Sequence, residues 1–234
     1  MSDQPNEKPQ ASLELGVIGN GSVAALVDSH ARIVWCCLPR FDADASFCSL
    51  LSPALPGGDW AIELEHFDHA EQFYLRNTAV LVTRLFDRHG GAIEITDFAP
   101  RHRVSGRLYH PEMLARRVAP ISGSPRIRVR MRPLCDYGAR APHTTSGSNH
   151  IRYLLSDTIQ RLTCDVAPLL VERGLPFGLE QPAHFLFGPD ETLEGNVSDF
   201  IHLALERTLD YWREWTRYLS IPFEWQEAVI RAAI

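Results

Sequence analysis

Residues 126–132, Arg-Ile-Arg-Val-Arg-Met-Arg, alternate charged and apolar side chains without a fault. Successive side chains of an extended strand point to opposite faces, so Ile127, Val129 and Met131 share one face and four arginines share the other. The segment therefore demands a sheet with one buried face and one that is wet or paired. Period-two runs recur along most of the 234 residues, separated by clusters of Pro, Gly, Asp and Ser, the pattern of an antiparallel sandwich or barrel.

The first runs form a hairpin. β-Branched residues predict a strand over 23–27, Asp28-Ser29-His30 a turn, and residues 32–38 a return strand. Pro39 ends that ladder because it has no N–H to give. Pro56-Gly57-Gly58-Asp59 turns into a strand over 60–64. Residues 77–86 and 92–98 make a second hairpin around Asp87-Arg88-His89-Gly90-Gly91. A further strand is predicted over 113–120, and weaker ones over 151–155, 158–164, 167–172 and 183–187.

The period then changes. Ser198 can cap a helix over 199–218, in which Ile201, Leu205, Leu209, Trp212, Trp215 and Leu219 recur at three or four residues and form one stripe. Pro222 allows a second helix, with Trp225, Ala228, Val229 and Ala232 along its face. Its uncapped end leaves Ile230, Ala233 and Ile234 with little to bury against, as expected of a chain that continues. The predicted fold class is mainly β: a large antiparallel β-sandwich, with a linker helix and the start of a helical domain behind it. The expected divisions are a disordered tail over 1–12, the sandwich over 13–197, the linker helix over 198–219 and a first domain helix over 220–234.

Composition narrows the function. Residues 101–132 carry nine arginines against the single acid Glu112, a local charge of +8, while the whole chain stands at −6 and its remainder at −14. That acidic remainder argues against a nucleic-acid partner. No apolar run is long enough to cross a bilayer, and residues 1–10 lack the apolar centre of a signal peptide. Cys36, Cys37, Cys48, Cys135 and Cys164 are odd in number and lack C-x-x-C spacing, which points to reduced, buried thiols and a cytoplasmic location. Cys36 and Cys37, adjacent in a strand, should face opposite sides. Gly19 and Gly21 belong to a turn with no helix after it, so no dinucleotide loop is present and no cofactor is expected. His66, Asp68 and His69 lack a second ligand group at fitting spacing, so no metal is expected there.

Four segments occur in an order that resembles one family: residues 18–51, Thr96-Asp97-Phe98-Ala99-Pro100, Arg132-Pro133-Leu134-Cys135-Asp136-Tyr137-Gly138, and Tyr211-Trp212-Arg213-Glu214-Trp215. They are similar to the N-terminal domain of bacterial and archaeal glucoamylase-like and trehalase-like enzymes, glycoside hydrolase family 15. The resemblance covers about residues 15–234. It implies a supersandwich-like β domain, a linker helix and an (α/α)6 barrel, with α-glucoside cleavage by inversion. It places both catalytic glutamates in the barrel, so no catalytic residue is carried over to this chain, and the barrel is its expected partner.

Candidate residues follow from position. Arg40, Phe41 and Asp42 stand in a loop after an apolar strand and can either pin that loop or rim a sugar pocket. Arg128 and Arg130 on the arginine face, and Trp212 and Trp215 on the helix, are candidates for docking the barrel. Tyr137 is expected to be half-buried. The carboxylates Glu63, Glu65, Glu94, Asp97, Asp190 and Glu191 read as solvated strand faces or turns. The alternative to a scaffold role is a free-standing carbohydrate-binding module.

Overall fold

The structure is a computed structural model that describes residues 12–51, 56–220 and 224–234. In chain order the first strands are β1 (Leu15–Gly19), β2 (Ala24–Asp28), β3 (Ile33–Cys37), β4 (Ala45–Phe47), β5 (Asp59–Leu64) and β6 (Phe67–Tyr74). There follow β7 (Leu81–Asp87), β8 (Ala92–Phe98), β9 (His102–Val104), β10 (Arg107–Tyr109), β11 (Leu114–Ser122) and β12 (Arg126–Arg132). The last strands are β13 (His143–Ser146), β14 (His150–Leu154), β15 (Ile159–Cys164), β16 (Pro176–Gly178) and β17 (Ala183–Pro189). Helix α1 (Pro168–Glu172) lies between β15 and β16, and α2 (Val197–Arg217) and α3 (Gln226–Ala233) close the chain.

Fifteen of these strands form two large antiparallel sheets, and β9 pairs with β10 apart from them. One runs β1-β2-β3-β5-β12-β16 with β4 beside β3, and the other runs β13-β14-β15-β17-β11-β8-β7-β6. One continuous core fills the space between them, from Ile18, Ile33 and Trp60 of the first sheet to Leu81, Ile93 and Phe185 of the second. The arginine strand is β12, and its burial alternates as read: Ile127, Val129 and Met131 inward, the arginines outward. Four aromatic rings bridge the layers. Phe47 and Trp60 of the first sheet meet Phe187 of the second at centroid distances of 5.5 and 6.0 Å, and Tyr153 meets Phe187 at 6.1 Å.

Within this apolar space lies an ion pair of the second sheet. Arg116 of β11 and Asp97 of β8 lie directly opposite each other and both side chains are fully buried. The guanidinium grips the carboxylate with two bonds, Nε to Oδ1 at 2.7 Å and Nη2 to Oδ2 at 3.0 Å. It then crosses the core to donate to the Trp60 carbonyl at 2.9 Å and to the carbonyl of Ala31. Its charged centre sits 4.9 Å from the Trp60 ring centroid. Burial pushes the Asp97 carboxyl up, and the Arg116 charge and hydrogen bonds oppose that rise. Asp97 is expected on a solvated face; the structure places it inside, because it shares the inner face of β8 with Ile93 and Ile95, which line the core between the sheets.

The second cover is α2, whose Val197, Ile201 and Ala204 pack on Val80, Phe98, Ala115 and Leu186. The helix begins one residue before Ser198, with Asn196 at the cap position. Its buried stripe is Val197, Ile201, Ala204, Thr208, Trp212 and Thr216, and the expected Leu205 and Leu209 flank it half-buried. Thr208 is inside because its hydroxyl accepts the Arg101 N–H at 3.0 Å, which ties the helix to the chain leaving β8. In α3 the buried residue is Ile230, whereas the expected Trp225 and Val229 are exposed. Arg231 decides that orientation, donating to the Thr78 carbonyl at 2.9 Å and lying over the Tyr74 ring.

A second polar anchor is Asn20, buried in the β1–β2 turn. Its Nδ2 donates to the carbonyls of Pro100 (2.9 Å) and Pro111 (2.7 Å), and its Oδ1 accepts from the N–H groups of Ser22 (2.9 Å) and Val23 (3.1 Å). All five cysteines are free and buried, with Cys36 in the main core and Cys37 in a small outer cluster with Ala45, Cys48 and Leu134. The segment read as a strand over 167–172 is α1, since Pro168 at its first turn fits helix geometry and needs no hydrogen-bond partner. The expected tail over 1–12 falls outside the described residues except for its last, and so does the helix start at Pro222.

The buried pair sets the stability expectation. Arg116→Met leaves an uncompensated carboxyl in the core and should destabilise the fold by about 3–5 kcal/mol. Arg116→Met with Asp97→Leu should recover most of that loss, read as the urea midpoint of each variant.

Candidate functional site

The loops at one end of the sandwich bring two of the distinctive sequence segments together. Residues 38–44 leave β3, and residues 133–142 leave β12. Between these loops and the β14–β15 turn lies a hollow of about 270 Å³ lined by Asp42, Asp44, Leu134, Asp136, Tyr137 and Ser156, among others. Its floor is fixed by Gln160 of β15, which is buried. Gln160 donates to the Leu38 carbonyl at 3.2 Å and accepts from the Ser46 hydroxyl at 3.0 Å, so one amide joins both sheets beneath the first loop.

Arg40 and Asp42 form a bidentate pair at 2.9 and 2.7 Å, with 73% and 69% of their side chains exposed. The hydrogen bond from Arg40 holds the Asp42 carboxyl below the ordinary aspartate range. Phe41 between them is 58% exposed. On the facing loop, Asp136 accepts from Arg140 Nε at 2.7 Å and from the Ser156 hydroxyl, and these bonds lower its carboxyl as well.

Asp136, Tyr137 and Gly138 are consecutive residues at positive φ, 55°, 56° and 86°. That arrangement turns Tyr137 outward. It is 89% exposed, not half-buried as expected, and its N–H is held by Asp44 Oδ1 at 2.9 Å. Two exposed aromatic rings, Phe41 and Tyr137, and four carboxylates, those of Asp42, Asp44, Asp136 and Asp157, thus belong to one end of the molecule. Carboxylates can accept hydroxyl protons and an exposed ring offers an apolar face, the chemistry that suits a sugar edge.

The other candidates lie elsewhere. Arg128 and Arg130 project from the outer face of the first sheet, where β5 supplies opposite charges: Glu63 lies 3.8 Å from Arg128 and 2.7 Å from Arg130, and Asp59 lies 3.1 Å from Arg130. Cross-strand pairs of this kind hold a sheet locally. Trp212 and Trp215 are on α2, outside the second sheet. Trp212 is buried with the Arg101 guanidinium over its ring, and Trp215, half-buried, stands edge-on to it at 5.7 Å. The arginines and the tryptophans therefore occupy opposite faces of the sandwich.

The remaining carboxylates are structural in different degrees. Glu94 pairs with Arg84 at 2.9 Å, and half-buried Asp190 accepts from Arg152 and Arg161. His69 pairs with Asp68 at 2.9 Å. Among the described residues no three histidine, cysteine or acidic side chains gather as metal ligands. No described helix is long and apolar enough to cross a membrane. Sequence reasoning missed Arg116, Gln160 and Asp44 as positioning groups. Only Arg116 left a signal, an unmatched arginine within an apolar run.

Comparison with known proteins finds similarity along most of the chain. The family described as trehalase-like, N-terminal, matches residues 7–159. The trehalase of Thermoplasma volcanium is 27% identical over 238 residues, covering 94% of this chain and 36% of that protein. The trehalase of Thermoplasma acidophilum is 25% identical over 89% of this chain and 37% of its own length. Trehalase 1 of Sulfolobus acidocaldarius is 28% identical over 86% of this chain and 34% of its own. The chain thus spans little more than a third of the curated relatives it matches. No solved structure matches.

The loop pins carry a definite pH sign. Their carboxyls titrate below the ordinary 3.8, so the pins are complete above that value and are lost as pH falls through the lowered midpoints. An NMR titration of the side-chain carboxyls should place Asp42 and Asp136 below 3.8, and Arg40→Ala should return Asp42 towards it while leaving Asp136 unmoved.

Proposed function

The chain belongs to the trehalase-like N-terminal family, and on that premise we propose that it is the supporting β domain of an inverting α-glucoside hydrolase of family 15. The observation that carries this reading is the mismatch of coverage. Similarity runs through 94% of this chain yet reaches only 36% of a trehalase, which leaves nearly two thirds of such a protein to hold the chemistry.

Inversion uses a general acid and a general base about 6.5–9.5 Å apart, so that water fits on the far side of the sugar. In this proposal both belong to a helical (α/α)6 domain outside these residues. The sandwich supplies a rigid wall. Its 38–44 loop, held from below by Gln160 and across its tip by the Arg40–Asp42 pair, presents Phe41 and two charged groups at the rim of the glucose pocket. Preorganised contacts of this kind help hold a substrate in its reactive pose without touching the reacting atoms. The half-buried Trp215 gives the helical side an amphipathic surface for docking that domain, and the arginine face is the second docking candidate.

The purified chain should release no glucose from trehalose, maltose or isomaltose, and should show no saturable binding of maltooligosaccharides. Turnover would overthrow the scaffold role, and saturable binding would favour the free-standing module instead. In the full-length enzyme, Arg40→Ala should lower kcat/KM by about tenfold, or 1.4 kcal/mol. An unchanged value on every glucoside would remove the rim role.

A further inference from the structure

Asn20 is followed by Gly21, and no other asparagine in the chain precedes a glycine. We propose that this bond is a deamidation site which the fold holds shut, so that its modification records opening of the β1–β2 corner. Glycine carries no side chain to shield its backbone nitrogen. Once the side chain is free, the Gly21 nitrogen can attack Asn20 Cγ. A C–N bond forms, ammonia leaves with the proton given up by the Gly21 N–H, and a five-membered succinimide results. Water then adds to one of the two ring carbonyls and opens the ring to an aspartyl or an isoaspartyl residue.

In the folded chain the carboxamide is not free. An asparagine offers two N–H donors and an oxygen with two lone pairs, and Asn20 uses all four. The donors go to Pro100 and Pro111, and the acceptor takes the N–H groups of Ser22 and Val23, so Asn20 is buried and fully bonded although Gly21 beside it is exposed. Ring closure requires Cγ to turn away from those partners and towards the Gly21 nitrogen, and that movement waits on local opening.

Both residues of the reactive pair are fixed by the same corner. Gly21 stands at φ 88°, and a Cβ there would lie 2.9 Å from Arg101 Nη1, the atom that also bonds the Asn20 carbonyl. Asn20 is fixed by its two donors. The reaction is also one-way. A carboxylate has no hydrogen to give Pro100 and Pro111, so the modified corner must leave the buried Pro100 carbonyl and the partly buried Pro111 carbonyl without this partner.

The test compares the protein in mildly alkaline native buffer with the same protein in urea. Peptide mapping by mass spectrometry follows conversion of amide to acid, and isoaspartyl content identifies the succinimide route. Conversion at position 20 should be at least about tenfold slower in the native protein. Chain modified in urea and then refolded should show a lower urea midpoint, matched by Asn20→Asp. Equal rates in the two conditions, no conversion in urea, or a wild-type midpoint after modification would each overturn the proposal. If Asn20→Asp does not fold, the two conversion rates and the midpoint of the modified wild-type chain decide it.

Discussion

The strongest constraint on the way the two sheets meet is a guanidinium that crosses an apolar gap. Arg116 brings a full charge into the core, where an unpaired ion is far too costly to hold, and its partners come from three places: Asp97 on the neighbouring strand, and the Trp60 and Ala31 carbonyls on the opposite sheet. Hydrophobic packing alone tolerates sliding, since one methyl contact resembles another. A planar group with donors in a fixed fork does not. The pair therefore sets the register of layer against layer, and the aromatic contacts among Phe47, Trp60 and Phe187 fill in around it.

The sequence revealed the sheets where one face was wet. The alternation of β12, the hairpin of β7 and β8, and the opposed Cys36 and Cys37 all follow from the period of two, and all are found. It failed where the pattern had a different cause. Strand β13 is exposed throughout and needs no apolar face, and in β6 a bulge between Phe67 and His69 breaks the alternation of the residues that pack on the core, so a period of two marks neither. In β11 the fault was opposite. Leu114, Ala115, Arg116 and Val118 are all buried because α2 covers one face and the core the other, so a charged residue among them gives no clue to which way it points. The helix itself was legible in extent but not in rotation, since Thr208 and Thr216 face inward in place of the larger leucines.

The end of the molecule that gathers the loops was legible only in parts. Residues 40–42 and 132–138 stood out as separate segments, and nothing in their spacing of some ninety positions indicated that one hollow would join them. The sheet order does that, by setting β3 and β4 in the same layer as β12 and placing β15 beneath. The arginine strand and the helix tryptophans, each read as a docking candidate, lie on the two outer sides of the sandwich. Proximity in a β protein is decided by pairing and layer, which are long-range properties.

Gln160 has a consequence for motion. One amide is bonded to the Leu38 carbonyl and the Ser46 hydroxyl while its backbone belongs to the other sheet, so any shear between the layers is transmitted directly to the base of the outer loop. The loop has no independent hinge at that point. Its position is geared to the interior, and thermal breathing of the sandwich, rather than flexing of the loop itself, becomes the coordinate along which the aperture at that end widens or narrows.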